Sequence, residues 1–294
     1  MTDNSSSNST PQARVQDLLL LPPLPAIAWR LLDLVAREDC RIEELASLIE
    51  QDPGLTARVI GIANSAYFGR RSEICSVADA IVRVLGLNLV RGIAIGIALS
   101  KPFDASVCVG FQLDRYWYRA VQTANLATRL GAVGNLERSV RDCLFLCGLL
   151  HNLGQLALVH IFPDRMARVF ESWAQQPGQG LLALEARFLA TTEVEAGAIL
   201  ARRWQLPATV TEVIAFRREP WRAGATAPVV QLVAYCAEIA AVWFQDVNAA
   251  APPMIEAGTA FRDADQDRFH LALEQIRAQD PETRAMAQSL GGSS

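Results

Sequence analysis

Histidine is scarce in this chain: three residues in 294, His151, His160 and His270. A metal site built mainly from imidazoles would need nearly all of them to converge from distant positions. Lysine is scarcer still, because Lys101 is the only one among 27 basic residues, so cationic chemistry here is guanidinium chemistry. Guanidinium suits planar anion recognition and equally an ordinary charged surface. Positive charge is not in surplus either: 27 Lys+Arg face 31 Asp+Glu for a net charge of −4, which excludes an overall electrostatic pull toward nucleic acid or an acidic membrane. The N-terminal MTDNSSSNSTPQ has no apolar run of the kind a signal peptide needs, and the expected compartment is a reduced, cytoplasmic one. Six cysteines lie dispersed in apolar surroundings. Cys143 and Cys147 are one helical turn apart, but no second pair or flanking His completes a zinc set, and all six read as small hydrophobes.

What is present is apolar and helical. The chain is 51% hydrophobic and 20% charged, which excludes a disordered, collagenous or disulfide-framework protein. Two stretches, Leu144–Phe162 and Val229–Phe244, approach membrane-span length. His151, Asn152, Gln155 and His160 interrupt the first, and the second is short and holds Gln231 and Glu238, so both are expected to be buried core helices with no membrane insertion.

The apolar spacing is helical from Leu24 onward, with Pro25 placed in a first turn. Asp52-Pro53 reads as an N-cap with proline at the first helical position of a helix ending near Asn64. Ser76 starts another helix, which stops at Gly86, and Asn88 is read as the cap of the next. KPFDASVCVG is the best internal boundary. Further helices are expected near 112–131, 138–153, 155–160, 163–174, 180–190, 193–204, 207–217, 226–245 and 261–278. No alternating, strand-like run competes, so the fold class is all-α. Residues 1–14 form a polar tail, 15–283 the helical domain with subdomains of about 15–103 and 110–283, and 284–294 a flexible tail.

Several separated blocks carry a resemblance: Leu21-Pro-Pro-Leu-Pro25, Gln51-Asp-Pro-Gly-Leu-Thr56, Ala63-Asn-Ser-Ala-Tyr-Phe-Gly69, Ala80-Ile-Val-Arg-Val-Leu-Gly86, Gly148-Leu-Leu-His-Asn-Leu-Gly154, Val194-Glu-Ala-Gly-Ala198 and Trp204-Gln-Leu-Pro207. In order and spacing they resemble the HDOD family, the HD-related output domains of bacterial signalling proteins, from about Leu18 to Phe244. The resemblance implies a multi-helical HD-like bundle, with an N-terminal helical subdomain packed on an HD-like one, and a role in signal transduction. The related HD phosphohydrolases hold divalent metal with dispersed His residues and a His-Asp pair, turning bound water into a nucleophile.

Here the pattern departs. By motif, Arg119 stands where the family often has a His, His151-Asn152 replaces His-Asp, Glu193 takes another His position, and Arg217-Arg218 replaces a His-His pair. Asn152 brings a neutral amide, and guanidiniums neither coordinate a cation nor tolerate one nearby. Only His151 and Glu193 remain as ligands. The expectation is no metal, no cofactor, no catalytic residues and no phosphohydrolase activity. The chain then acts as a regulatory module on signalling proteins supplied in trans.

Two alternatives stand beside this. One is a metal-dependent phosphodiesterase recruiting residues such as Asp142. The other is a sensor whose arginine-lined cleft takes a small anion or nucleotide. A structural reading of the same residues keeps His151 and Asn152 hydrogen-bonded in the core and the arginines paired with Glu193, Glu195 or Glu212. In the Asn64–Gly69 block, Tyr67 and Phe68 either pack inward or form an exposed partner surface.

Overall fold

A computed structural model describes residues 21–37, 40–64, 73–134, 136–176, 178–253, 261 and 265–291. Every regular element among them is helical, as the spacing predicts. The first group is α1 (Ala26–Ala36), α2 (Ile42–Glu50), α3 (Pro53–Ala63), α4 (Val77–Ala80) and α5 (Leu87–Ser100). The second is α6 (Leu113–Gly131), α7 (Arg138–Arg141), α8 (Leu144–Leu150), α9 (Leu153–Ile161), α10 (Pro163–Gln175), α11 (Leu181–Leu189), α12 (Glu193–Arg203), α13 (Ala208–Phe216), α14 (Ala227–Gln245), α15 (Gln266–Ala278) and α16 (Asp280–Gly291).

The start signals act as read. The Asp52 side chain accepts from the Leu55 N–H at 3.0 Å with Pro53 opening α3, and Ser76 accepts from the Asp79 N–H at 3.0 Å. Others shift by a residue or two. Pro25 is the N-cap of α1 rather than a first-turn residue, and Gly86, at φ +78°, precedes α5 where Asn88 was expected to cap. The segment after α4, Ile81–Leu85, is a π-helical turn.

The sequence blocks are explained by where they meet. Asn64 clamps the backbone of Ile74, its amide nitrogen donating to the carbonyl at 2.7 Å and its amide oxygen accepting from the N–H at 2.9 Å. Trp204 donates its indole N–H to the Pro22 carbonyl at 3.0 Å and stacks near Phe103. Tyr67 and Phe68 lie outside the described residues.

α6 is the central helix, and α8, α14 and α16 pack along it. One apolar core runs from Leu21 to Leu290, across the predicted subdomain boundary. The stretch Leu144–Ile161 is 89% buried and broken at His151-Asn152, and Gly224–Gln245 is 56% buried; by length and composition alone both would reach across a bilayer. Cys108, Cys147 and Cys236 are buried as expected, whereas Cys75 is exposed.

Two expectations are corrected. The helix expected over 138–153 is interrupted at Asp142-Cys143 and ends at Leu150. The flexible tail expected from residue 284 is, as far as Gly291, part of α16, which buries Thr283, Met286, Ala287 and Leu290. Asp280 opens this helix, accepting from the Tyr118 hydroxyl and, at 2.7 Å, from Arg284 Nε, while Arg58 donates to the Leu290 carbonyl at 3.3 Å.

Candidate functional site

Two close helix approaches build the site. At Gly154, a Cβ would lie 1.9 Å from the Glu193 carbonyl oxygen and 2.6 Å from the Gly197 nitrogen, so α9 and α12 touch backbone to backbone. At Gly148, a Cβ would lie 2.5 Å from the Ala124 Cα, which presses α8 onto α6. Between these contacts sit His151, Asn152, Glu193 and Arg119.

Glu193 is held at the first turn of α12 by a capping box: Thr192 Oγ1 accepts from the Glu195 N–H at 3.2 Å, and the Glu195 carboxylate accepts from the Thr192 N–H at 3.0 Å. Its carboxylate is paired with Arg217, which caps the C-terminus of α13; each end suits its helix dipole. Both side chains are about 95% buried, at 6% and 5% exposure. Behind them the Glu185 carboxyl accepts from the Glu193 N–H at 2.8 Å.

His151 is 1% exposed. Its Nδ1 lies 2.7 Å from the Gly148 carbonyl, so this nitrogen carries the proton and Nε2 is left as an acceptor, with no partner among the described residues. Asn152 is buried and neither polar atom of its amide has a partner among the described residues, where the expected core hydrogen bond is made by His151 alone.

The charges around His151 are cationic. Burial first, then Arg217, with Arg119 and Arg218 adding, pushes the imidazole well below its ordinary pKa of 6.5. Burial also pushes Arg119 down to about 10, against the opposing pull of Glu193, so it stays protonated at neutral pH. Glu185 is pushed up to about 9, by burial and then by Glu193, and is a neutral acid there.

These positions set the pH dependence of stability. Below about 6.5 the unfolded chain protonates His151 while the folded chain resists protonation, so stability falls on acidification through this range. Glu185 acts in the opposite direction. Its folded pKa is raised, so its contribution is full below the unfolded value of 4.5 and is lost as pH rises toward 9, at a cost of roughly 3 kcal/mol by neutrality. Denaturant titrations across this range should show Glu185→Gln removing the alkaline decline and His151→Gln removing part of the acid one. Unchanged slopes in both variants would contradict the placement of these charges.

Five of the six predicted cleft residues, Arg119, His151, Glu193, Arg217 and Arg218, are thus brought within electrostatic reach of one another, and Asn152 adjoins them. Of the anticipated arginine pairs only Arg217–Glu193 forms. Glu195 serves the capping box and Glu212 accepts from Thr226, while Arg119 and Arg218 form no ion pair with a described carboxylate.

Sequence reasoning missed Glu185, Arg115 and Gln155. Glu185 had a readable signal, because it stands on the same helical stripe as Leu181, Leu184, Phe188 and Leu189. Arg115 is one helical turn before Arg119 and lines a cavity of about 360 Å³ with Arg119, Gln155, Glu193 and Arg218.

The metal centre that the related hydrolases use does not fit these donors. Glu193 is committed to Arg217, Glu185 is neutral, Asn152 carries no charge, and guanidiniums crowd the imidazole. Asp142 is exposed, and among the described residues no group of three or more His, Cys, Asp or Glu is placed to hold a metal.

The HDOD domain family matches residues 21–220, about two thirds of the chain, and the chain belongs to that family. An uncharacterised protein of Treponema pallidum (strain Nichols) is 27% identical over 228 residues, covering 76% of this chain and 42% of that protein. A Marinobacter aquaeolei VT8 protein, provisionally named for signal transduction, superposes with a TM-score of 0.77 at 26% identity, over 94% of this chain and 61% of its own. A provisionally named phosphohydrolase of Shewanella amazonensis SB2B gives 0.74 at 26% identity, over 94% and 97%. A Geobacter sulfurreducens HDOD domain protein of unknown function shares the fold at a TM-score of 0.74 and 22% identity, over 95% and 98%. The chain is therefore related to proteins named for both signalling and phosphohydrolysis, and it spans less than two thirds of the Treponema and Marinobacter relatives.

Proposed function

We infer that this protein is a regulatory module, not a hydrolase, and that it relays a signal through contacts with other proteins in trans. The observation that carries this reading is the buried Arg217–Glu193 pair. A carboxylate neutralised by a guanidinium is no longer available to a divalent cation, and that guanidinium lowers the basicity of the one imidazole nearby.

The signal-transduction name of the Marinobacter relative supports the same role. The hydrolase name of the Shewanella protein points the other way, but hydrolysis by that route requires several metal donors. In this chain, Arg119, Arg217 and Arg218 stand at positions where the resemblance places histidines.

The test is hydrolysis of bis(p-nitrophenyl) phosphate and of cyclic dinucleotides by the full chain with added Mn²⁺, Fe²⁺ or Mg²⁺. The expected rate is that of the buffer blank for both the wild type and His151→Ala. Turnover that disappears in His151→Ala would overturn the reading.

A further inference from the structure

We propose that the arginine-lined cavity beside the His151 centre binds a nucleotide, its phosphates on Arg115, Arg119 and Arg218 and its base against the aromatic wall of Phe170 and Trp173. The proposal rests on the non-catalytic reading above and gives that site a ligand class.

The cavity, of about 360 Å³, opens between the N-terminal half of α6, the end of α10 and the residues after α13. That volume lies near the lower end of the range for small-molecule sites, roughly 300–1,000 Å³, and so favours a compact ligand. Its polar groups converge from three directions. Arg115 and Arg119 project from successive turns of α6, Arg218 arrives from the end of α13, and Gln155, 6% exposed, comes from α9 with an amide that makes no hydrogen bond among the described residues.

The charge balance is lopsided. A second, smaller pocket of about 90 Å³ joins Arg119, Arg217 and Arg218 to Glu238 of α14, and Ala241 borders both spaces. Four guanidiniums therefore line the two spaces beside two carboxyl groups, those of Glu193 and Glu238, in a chain whose overall charge is negative. Neither Arg115, Arg119 nor Arg218 has a carboxylate partner among the described residues, and Arg119 Nε is buried without an acceptor. A guanidinium nitrogen withdrawn from water without an acceptor, as at Arg119, is costly, and a phosphate accepting bidentate guanidinium bonds relieves that cost.

An inorganic anion would satisfy the arginines, but it would leave the walls unused. Phe111 and Phe170 approach at 5.8 Å between centroids, and the Arg115 guanidinium carbon lies 4.7 Å from the Trp173 ring centre. A flat base extends this cation–aromatic stack. Phosphate and ring together define a nucleotide.

Calorimetry on the full chain with ADP and GDP, against pyrophosphate, adenosine and guanosine, tests this. ADP or GDP should bind at least about tenfold more tightly than pyrophosphate or either nucleoside, and Arg218→Ala, at an exposed position, should weaken nucleotide binding by about tenfold. Trp173→Leu should weaken nucleotide and leave pyrophosphate within about twofold. Failure of both nucleotides to bind by about 1 mM, pyrophosphate binding as tightly as ADP or GDP, or nucleotide binding indifferent to Arg218→Ala would overturn the proposal. Turnover of the bound nucleotide with added Mn²⁺ would instead overturn the non-catalytic reading, with binding itself upheld.

Discussion

Arg217→Met is expected to destabilise the protein by about 3–5 kcal/mol, because it strands the buried Glu193 carboxylate without its counter-charge. Glu193 must then either remain ionised in an apolar setting or take up a proton, which adds a pH dependence the wild type lacks. The double variant Arg217→Met, Glu193→Gln removes both charges and should recover most of the loss, since a well-packed neutral pair is often as stable as a buried ion pair. Urea unfolding of the two single variants and the double measures the coupling directly. If Arg217→Met unfolds at the wild-type midpoint, the pair is not what neutralises this centre.

The second large effect is at Gly154. A methyl group there meets backbone on α12, at 1.9 Å from the Glu193 carbonyl oxygen and 2.6 Å from the Gly197 nitrogen, and backbone cannot turn aside as a side chain does. Gly154→Ala should therefore force α9 and α12 apart and cost about 3 kcal/mol or more. The displacement also separates His151 from Glu193 and Arg217, so the imidazole should titrate closer to its ordinary value when followed by NMR. Gly178→Ala, where an added Cβ meets nothing within 4 Å, is the control and should cost little. A stable Gly154→Ala protein with an unchanged His151 titration would refute the close-packed description.

These two residues show what the sequence made legible and what it did not. Arg217 was readable because it stands in a motif position where a metal ligand is expected, and a guanidinium there is a chemical contradiction that a single sequence exposes. Its partner was anticipated among three glutamates, and only packing selects Glu193. Gly154 was visible as part of a block, but its role depends on a backbone from another helix and has no local signature.

The C-terminal helix shows a readable signal passed over. Asp280-Pro281 repeats the start pattern that placed α3 correctly at Asp52-Pro53, and Thr283, Met286, Ala287 and Leu290 mark a helical stripe, yet the following glycines and serines made the segment look like a tail. Arg115 and Trp173 could not have been paired from sequence, because 58 positions separate them and their contact is a product of how α10 folds back on α6.

We propose that the guanidiniums of Arg119, Arg217 and Arg218 stand in place of a metal in this protein. The most direct test is elemental analysis of the full chain purified without chelator, then dialysed against Mn²⁺ and Fe²⁺ and freed of excess. Far less than one equivalent of any transition metal is expected, unchanged by His151→Ala. About one equivalent or more that is lost in His151→Ala would contradict it.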